Sequence, residues 1–244
     1  MLNGYKLIAV CLTKIQDEVT YEFIDALYQA VKGSDYRLLL FNSFSDLYYQ
    51  NVYDEGAKSI YQLLNYDLVD AVIIKADTLN DQQVIRDLIA RAKERQIPVI
   101  LLNMKAEGCY SIVPSYENVL SQLIEHVIKV HHKRKLYFLS GSMGESNSML
   151  RENIFRETLR DCGIDPQTAK VAYGEYWYGP AERAVENWIQ SGDLPEAIIC
   201  ANDAMAVAAC RVLKRHQIRV PEDMIVTGFD GVPSYQFHRP ALST

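Results

Sequence analysis

Short apolar runs alternate along the chain with longer amphipathic segments. The apolar runs are LIAVCL, YRLLLF, VDAVIIKA, PVILLNM, YSIVPS, KLYFLSG, KVAYGE, EAIICAN and MIVTGFD. Runs of this length, nearly continuous in apolar residues, predict strands that are buried on both faces. Parallel sheets covered by helices on both faces have such strands, so the pattern predicts an α/β protein.

Helical periodicity fills the intervals between these runs. Helices are predicted near residues 18–32, 48–64, 81–95, 119–128, 147–162 and 181–190, and from the end of EAIICAN to residue 216. The segment 119–128 illustrates the spacing, because its apolar residues fall on one face of a helix with 3.6 residues per turn. Seven of the nine predicted strands are therefore followed by a helix, which is the βαβ rhythm of a parallel sheet; the exceptions are PVILLNM, which precedes YSIVPS, and MIVTGFD.

The number of strands favours two similar Rossmann-like lobes over one continuous sheet. We expect an N-terminal lobe at residues 1–112 and a C-terminal lobe at 113–241, with residues 242–244 beginning a return crossing. The first crossing is placed near residues 111–115. Since no Pro/Gly/Ser-rich linker occurs there, hinge strands are expected to join the lobes.

Composition limits the possible partners of this chain. Its 244 residues are 49% hydrophobic, enough for a sizeable core, and its formal net charge is −6. Lysines and arginines are scattered instead of forming the basic patch that phosphate-backbone binding requires. We expect this chain alone not to bind DNA.

The cysteines and the N-terminus bear on localisation. Cys11, Cys109, Cys162, Cys200 and Cys210 form an odd set without a CxxC pair, as expected for thiols in a reducing compartment. The N-terminal apolar run is short and has no small-residue cleavage site behind it, and no later run approaches the length of a bilayer span. A cytoplasmic protein with no membrane partner is expected.

The stretch ICANDAM contains the first candidate binding residues. A predicted strand passes directly into Asn202 and Asp203, and the next helix begins there. Ligands of open parallel α/β sheets bind outside the carboxyl ends of the strands, where both residues are predicted to lie. Either side chain could instead cap the helix. We assign the cap to Asp203 and ligand binding to Asn202.

From Glu196 onward the chain resembles the effector-binding domain of the lactose-repressor and galactose-repressor (LacI/GalR) family. The recurring elements are the strand ending in Ala-Asn-Asp, the small-residue helix, VPED, the strand end GFD and the terminal Pro240-x-Leu242-x-Thr244. KLYFLSG followed by Arg151 extends the resemblance more loosely toward the N-terminus. The implied fold is the periplasmic binding protein type I pair of lobes, with a small-molecule effector held in the cleft between them.

The resemblance implies four ligand-binding residues in the C-terminal lobe. Arg151 corresponds to the arginine that grips vicinal hydroxyls or a carboxylate of the effector, and Asp230 to the acidic acceptor of effector hydroxyls. Asn202 would supply both a donor and an acceptor. Trp177 corresponds to an aromatic side chain that stacks on the apolar face of a sugar or a base.

In the N-terminal lobe the resemblance assigns Tyr21, Lys75 and Asn103 to the rim of the cleft. Lys75 and Asn103 end predicted strands, and Tyr21 follows one. Together with Arg151, a lysine at the cleft would favour an anionic effector over a neutral sugar. Alternatively, Lys75 is a solvated lysine paired with Asp77.

Four positions depart from the family pattern. Ile154 replaces a glycine and Ser115 an acidic residue. Val119 replaces a helix glycine, and Gly231 replaces the second aspartate after Asp230. The departures resemble those of sensor versions of this domain that are fused to other output modules.

Two output arrangements remain open. The family's helix-turn-helix and hinge helix do not precede the first strand in MLNGYKLIAV, and the chain ends at Thr244, where the final strand of the family would return. The chain is either a piece of a LacI-type repressor or a sensor with a C-terminal AraC-type domain or diguanylate cyclase. In either arrangement, any contact with DNA is expected to be made through a domain outside this chain. The resemblance also implies a homodimer, whose surface we assign to the helices near 48–64 and 81–95.

An enzyme acting on a small polar metabolite is the third alternative, because Asp230, Arg151 and Lys75 would converge on one cleft. The chain has no GxxxxGK[ST] or GxGxxG motif, and its spacing shows no nucleophile with a base and no metal-ligand cluster. We therefore expect no catalytic residue, no metal and no cofactor.

Overall fold

The computed structural model divides into two compact units, Met1–Pro114 and Ser115–Thr244. It describes residues 4–45, 47, 52–79, 81–115 and 117–244. Each unit has its own parallel sheet.

The first unit contains a five-stranded parallel sheet. Its strands are β1 (Lys6–Thr13), β2 (Tyr36–Ser43), β3 (Ala71–Lys75), β4 (Val99–Leu102) and β5 (Tyr110–Ile112), in the spatial order β2-β1-β3-β4-β5. Its helices are α1 (Glu18–Val31), the short α2 (Val52–Ala57) with a 3₁₀ helix at Lys58–Leu63, and α3 (Gln82–Glu94). All of the pairings are parallel, as the apolar runs predict.

The two faces of this first sheet are covered unequally. On one face α3 and the 3₁₀ helix pack against alternate strand residues, and Ile85, Leu88 and Tyr61 are buried there. On the other face Val10, Leu12 and Ile73 form a much smaller cluster under α1. The only residue that α1 buries is Thr20. Much of the apolar surface of α1 therefore remains accessible.

The second unit contains a four-stranded parallel sheet. Its strands are β6 (Leu136–Ser140), β7 (Val171–Tyr173), β8 (Ala197–Cys200) and β9 (Ile225–Thr227), in the order β7-β6-β8-β9. Its helices are α4 (Glu117–Lys129), α5 (Ser146–Asp161), α6 (Tyr178–Gln190) and α7 (Asp203–Arg215). Beside β9, Ser243 forms a single parallel bridge with Thr227.

Helix α7 is the most deeply buried helix among the described residues. Ten of its thirteen residues are buried, namely those from Asp203 through Leu213 except Arg211. Small side chains such as Ala206 and Ala209 allow close approach of neighbouring elements, which fits the extensive contact between α7 and α6. A helix that is buried on nearly all sides holds its N-terminal residues in fixed positions, and those residues are Asn202 and Asp203.

The predicted α/β architecture with two parallel sheets is confirmed. Of the helix predicted at 48–64, positions 48–51 lie outside the described residues. The remainder is not one α-helix, because the α-helical part ends at Ala57 and continues as a 3₁₀ helix, directly after the helix-weakening Gly56. Helix α6 begins at Tyr178 instead of 181, since Pro180 is compatible with a first helical turn. Among the described residues, no helix is long and apolar enough to cross a membrane.

Candidate ligand-binding site

Four loops leave the carboxyl edge of the second sheet side by side. Cys200 pairs with Leu139 next to the end of β6, and Thr227 pairs with Ile199 next to the end of β8. The segments that follow these strands therefore begin at one edge. In a parallel α/β sheet this edge is where ligands bind, so its side chains are the first candidates for function.

Arg151 joins three of these segments. It lies on α5 and is 8% exposed. Its Nη1 donates a hydrogen bond to the carbonyl oxygen of Ala201, and its Nη2 lies 3.4 Å from Oδ1 of Asp230. The guanidinium carbon also lies 4.4 Å from the centroid of the Phe229 ring, within the range of a cation–π contact. The protein thus holds this guanidinium in one position.

Asp230 is the partner of Arg151 that remains open to solvent. Its side chain is 29% exposed, against 10% for Arg151, and its backbone has φ +117, in the region that favours glycine. Burial raises the pKa of the Asp230 carboxyl to about 6, although Arg151 opposes this rise. Asp203 contributes to the rise through like-charge repulsion. The carboxyl can therefore change its charge between pH 5 and 7.

Asn202 is the N-cap residue of α7. Its Oδ1 accepts a hydrogen bond from the backbone N–H of Met205 at 3.0 Å, and its Nδ2 donates to the carbonyl oxygen of Tyr176 at 3.2 Å. The assignment of the cap to Asp203 was therefore wrong. In sequence the two neighbours are equally suited to capping, but the extended backbone at Asn202 gives it the cap geometry.

The side chain of Asp203 does not cap α7 and is buried within the second unit. It is 1% exposed, and its Oδ2 accepts a hydrogen bond from the N–H of Val232 at 2.8 Å. Within the described part of the chain, its Oδ1 has no hydrogen-bond partner. A Cβ atom at Gly228 would lie 2.1 Å from this Oδ1, so only glycine fits there. Asp203 therefore bonds Val232 and packs closely against Gly228, on the two sides of Asp230 in the chain.

Trp177 lies at the rim of the same edge. It precedes α6 and is 63% exposed, and its ring makes an edge-to-face contact with Tyr178 at 5.2 Å. The Tyr178 hydroxyl is 2.7 Å from that of Tyr235. An exposed indole that is supported on one side by another ring can stack on a flat ligand.

A polar cluster that the sequence analysis missed lies beside Trp177. The Tyr176 hydroxyl is 2.9 Å from Oγ of Ser148 and donates to Oε2 of Glu145 at 3.1 Å. The Tyr176 ring also covers Gly141, where a Cβ atom would lie 2.1 Å from it. Glu175 and Tyr176 both have positive φ, 52 and 55. In the sequence, a glycine directly after a strand, Gly141, indicates a close contact at that position. The residue that makes this contact, Tyr176, lies 35 positions later and could not be inferred.

Three predicted site residues lie in the first unit. Lys75 ends β3, and Asn103 follows β4 at the same edge of the first sheet, with φ +61. Nζ of Lys75 is paired with Asp77 at 2.6 Å and its side chain is only 8% exposed, so the predicted pairing is present but the lysine is not solvated. Tyr21 lies in the first turns of α1 and is 61% exposed.

The described residues contain no group of three or more His, Cys, Asp or Glu side chains that could hold a metal ion. The site at the edge of the second sheet combines a buried cation, carboxylates, an amide and an exposed indole. Such groups can bind a small polar molecule through hydrogen bonds and stacking.

Comparisons with known proteins agree with this fold. A family model described as a periplasmic binding protein-like domain matches residues 124–244. The chain is 24% identical over 245 residues to the HTH-type transcriptional repressor PurR of Aliivibrio salmonicida, covering 99% of this chain and 70% of that repressor.

Two solved structures show the same fold at low sequence identity. A dimeric lac repressor with an 11-residue C-terminal deletion has a TM-score of 0.78 at 21% identity, covering 97% of this chain and 82% of that chain. A LacI family regulator from Enterococcus faecium with bound ribose has a TM-score of 0.77 at 17% identity, covering 97% and 82%.

Proposed function

We propose that this chain, which contains a match to the periplasmic binding protein-like domain and is similar to named HTH-type repressors, is the effector-binding module of a transcriptional regulator of the lactose-repressor and galactose-repressor (LacI/GalR) family. In this proposal a small molecule binds at the carboxyl edge of the second sheet. Binding is then passed to an output domain outside this chain, which contacts DNA in the cytoplasm.

The observation that carries the proposal is the pairing of Arg151 with Asp230. The guanidinium of Arg151 is held by a backbone carbonyl and by the partly exposed carboxylate of Asp230. The guanidinium is thus a fixed donor and the carboxylate a fixed acceptor at one edge of the sheet. Such an arrangement suits the binding of a hydroxylated or nitrogen-containing molecule, because the ligand meets groups that are already oriented. Asn202 and Trp177 lie on neighbouring loops of that edge and are proposed as further ligand contacts.

We also propose three effector contacts in the first unit, Tyr21, Lys75 and Asn103. Lys75 and Asn103 share the carboxyl edge of their sheet, the usual place for ligand contacts in a parallel sheet. The catalytic alternative has less support, because the groups identified at the second edge are engaged in binding each other and no nucleophile–base pair has been identified among them.

We also propose that the module acts as a homodimer. A related solved structure is described as a dimeric lac repressor. In this chain α1 and β2 expose apolar side chains, with Tyr28 50%, Leu39 38% and Leu40 40% exposed. Helix α3, our sequence-based choice, packs its apolar residues Ile85, Leu88, Ile89 and Ala92 into its own unit. The α1 and β2 surface is therefore the better candidate for a subunit interface.

A ligand screen by thermal shift tests the effector proposal. Sugars, sugar phosphates, nucleobases, nucleosides, amines and amino acids are each added in excess, because a molecule that binds only the folded state raises the melting temperature. At least one class is expected to raise the melting temperature of the parent chain, and its effect should shrink in Arg151→Ala. If no class shifts the melting temperature, the proposed function is wrong.

A further inference from the structure

The N-terminus of α5 is filled by the protein's own carboxylate. Glu145 caps this helix, with Oε1 accepting from the N–H of Asn147 at 2.9 Å and Oε2 from the N–H of Ser148 at 2.7 Å. Free N–H groups at a helix N-terminus are a common binding site for phosphate or carboxylate ligands. Here two of those donors are engaged, and a full negative charge lies where an anion would otherwise bind.

Tyr176 holds this carboxylate in place. Its hydroxyl donates to Oε2 of Glu145 at 3.1 Å, and Ser148, which is 1% exposed, also donates to that oxygen at 2.9 Å. The Tyr176 ring lies against Gly141, and its carbonyl oxygen is bonded by Asn202. A positive φ at Tyr176 is a costly backbone conformation for a residue other than glycine, and these contacts maintain it.

The charges identified at this edge are predominantly negative. Asp203, Asp230 and Glu145 contribute three carboxyl groups, and the cation Arg151 is paired with one of them, Asp230. The guanidinium is already bonded to Ala201 and Asp230. An anionic ligand would have to displace one of these bonds and then lie near like charges, which repel strongly in a partly buried site.

Three buried oxygens at this edge can accept hydrogen bonds, and the carboxylate oxygen among them can only accept. Among the described residues, Oδ1 of Asp203, Oγ of Ser140 and Oγ1 of Thr227 are buried oxygens without a hydrogen-bond partner. Ser140 and Thr227 are the last residues of β6 and β9, and all three side chains belong to residues that are no more than 1% exposed. Buried polar atoms normally have partners, so a ligand with hydroxyl or amine donors would complement this edge.

We infer that the effector site selects a small donor-rich molecule that is uncharged or positively charged, and that Glu145 is the residue that excludes anionic molecules. This inference rests on the proposed function and concerns the same site. It is the opposite of the expectation from the sequence, in which Lys75 and Arg151 favour an anionic effector. The ammonium group of Lys75 is paired with Asp77, and Arg151 is paired with Asp230, so neither cation brings an uncompensated charge.

The test uses matched compounds that differ in one charged group. Ribose is compared with ribose 5-phosphate, glucose with glucosamine, glucuronate and glucose 6-phosphate, and adenosine with adenosine monophosphate, by thermal shift and then by calorimetric titration at pH 7.5. For a set that binds, we expect the neutral or amino member to bind at least about tenfold more tightly than the anionic member.

The variant Glu145→Gln tests whether Glu145 causes the preference against anionic molecules. Glutamine keeps a side-chain oxygen that can cap α5 but removes the charge, so the preference against the anionic member should shrink at least about threefold. Glu157→Gln is the matched control, because it removes one charge from an exposed position of α5. It should leave the preference unchanged. Tyr176→Phe, which removes the hydroxyl, should weaken the preference less than Glu145→Gln does.

Three results would overturn the inference. Binding of an anionic member as tightly as its neutral partner contradicts the exclusion while leaving the proposed function standing. An unchanged preference in Glu145→Gln removes the role assigned to this residue. If no compound of any set binds, the donor-rich class is wrong, and the wider screen described above decides whether the proposed function fails with it.

Discussion

Nη2 of Arg151 lies 3.4 Å from Oδ1 of Asp230, although 79 positions separate the two residues in the chain. The contact joins α5 to the loop after β9, and both segments begin at the carboxyl edge of the second sheet. Because Arg151 is buried and Asp230 is partly exposed, the pair has one fixed member and one member that solvent can reach. This asymmetry gives the two residues different expected mutational effects.

Removing either member should weaken effector binding. A charge-assisted hydrogen bond in a partly buried site is worth about 1 to 3 kcal/mol, so Arg151→Ala and Asp230→Ala should each lose about five- to 150-fold in affinity. Arg151→Ala should also destabilise the fold, since the carbonyl of Ala201 loses its buried donor. Calorimetric titration with the ligand from the screen, together with melting curves, measures both effects. Parent-like affinity in both variants contradicts the site.

The raised pKa of Asp230 predicts a pH-dependent stability. Burial raises this pKa from 3.8 to about 6, so between these values the folded state holds a proton that the unfolded state has released. The contribution of this group to stability is therefore present below about pH 4, is lost as the pH rises to about 6 and stays constant above.

Asp230→Asn isolates this effect, because asparagine cannot titrate. The free energy of unfolding of the parent minus that of the variant should fall by about 1 to 3 kcal/mol between pH 4 and pH 7. Urea denaturation at several pH values measures the difference, and subtraction removes the contributions of all other carboxyl groups. A difference that stays constant, or that rises with pH, shows that the carboxylate is stabilised in the folded state instead.

The sheets could be predicted from the sequence because their strands are buried on both faces. VDAVIIKA and EAIICAN carry apolar residues at successive positions, and β3 and β8 formed within them. The ends of the elements were harder to predict. The helix predicted to begin near residue 181 begins at Tyr178, because a proline such as Pro180 is accepted in a first helical turn.

The polar contacts at the edge of the second sheet could be predicted only in part. Asn202 and Asp203 are both suited to capping, and the backbone angle at Asn202, set by packing of the buried α7, decided between them. Glu145 is a less common cap residue, and Tyr176 adopts a backbone conformation that favours glycine. The hydrogen bond between their side chains joins segments about thirty residues apart, which local sequence rules do not describe.

Gly228→Ala should destabilise the second unit severely. The added Cβ atom would lie 2.1 Å from Oδ1 and 3.3 Å from Cα of Asp203, and Asp203 is held by the buried α7. We expect a loss of more than about 2 kcal/mol, measured by urea denaturation. Gly56→Ala is the control, because a Cβ atom there has no neighbour within 4 Å and alanine favours a helix. Equal effects of the two substitutions contradict the close packing of Asp203 on Gly228.

The proposed dimer surface can be separated from our sequence-based choice by two charge substitutions. Tyr28→Glu places a charge on the exposed apolar part of α1, and Arg86→Glu reverses a charge on the exposed face of α3. Tyr28→Glu should weaken dimerisation at least about tenfold in sedimentation velocity experiments, whereas Arg86→Glu should have little effect. The opposite result favours α3, and a monomeric parent chain contradicts the dimer proposal.

Asn202 has two contacts that different substitutions can separate. Its Oδ1 caps α7 through Met205, and its Nδ2 donates to the carbonyl oxygen of Tyr176. Asn202→Ala removes both and should cost about 1 to 2 kcal/mol of stability. Asn202→Asp keeps the cap and adds a charge that is favourable at a helix N-terminus, so its stability should stay within about 0.5 kcal/mol of the parent.

Asn202→Asp therefore isolates the effect of losing the hydrogen bond from Nδ2 of Asn202 to the carbonyl oxygen of Tyr176. Without this bond the loop before α6 loses one of its constraints, and Trp177 on that loop is 63% exposed whereas Trp188 is 7% exposed. In a Trp188→Phe background, Asn202→Asp should therefore change the fluorescence of Trp177 and lower effector affinity about five- to tenfold, although the fold remains stable. Parent-like fluorescence and affinity in Asn202→Asp would leave Asn202 with the role of a helix cap, because its amide donor would then contribute nothing to the site.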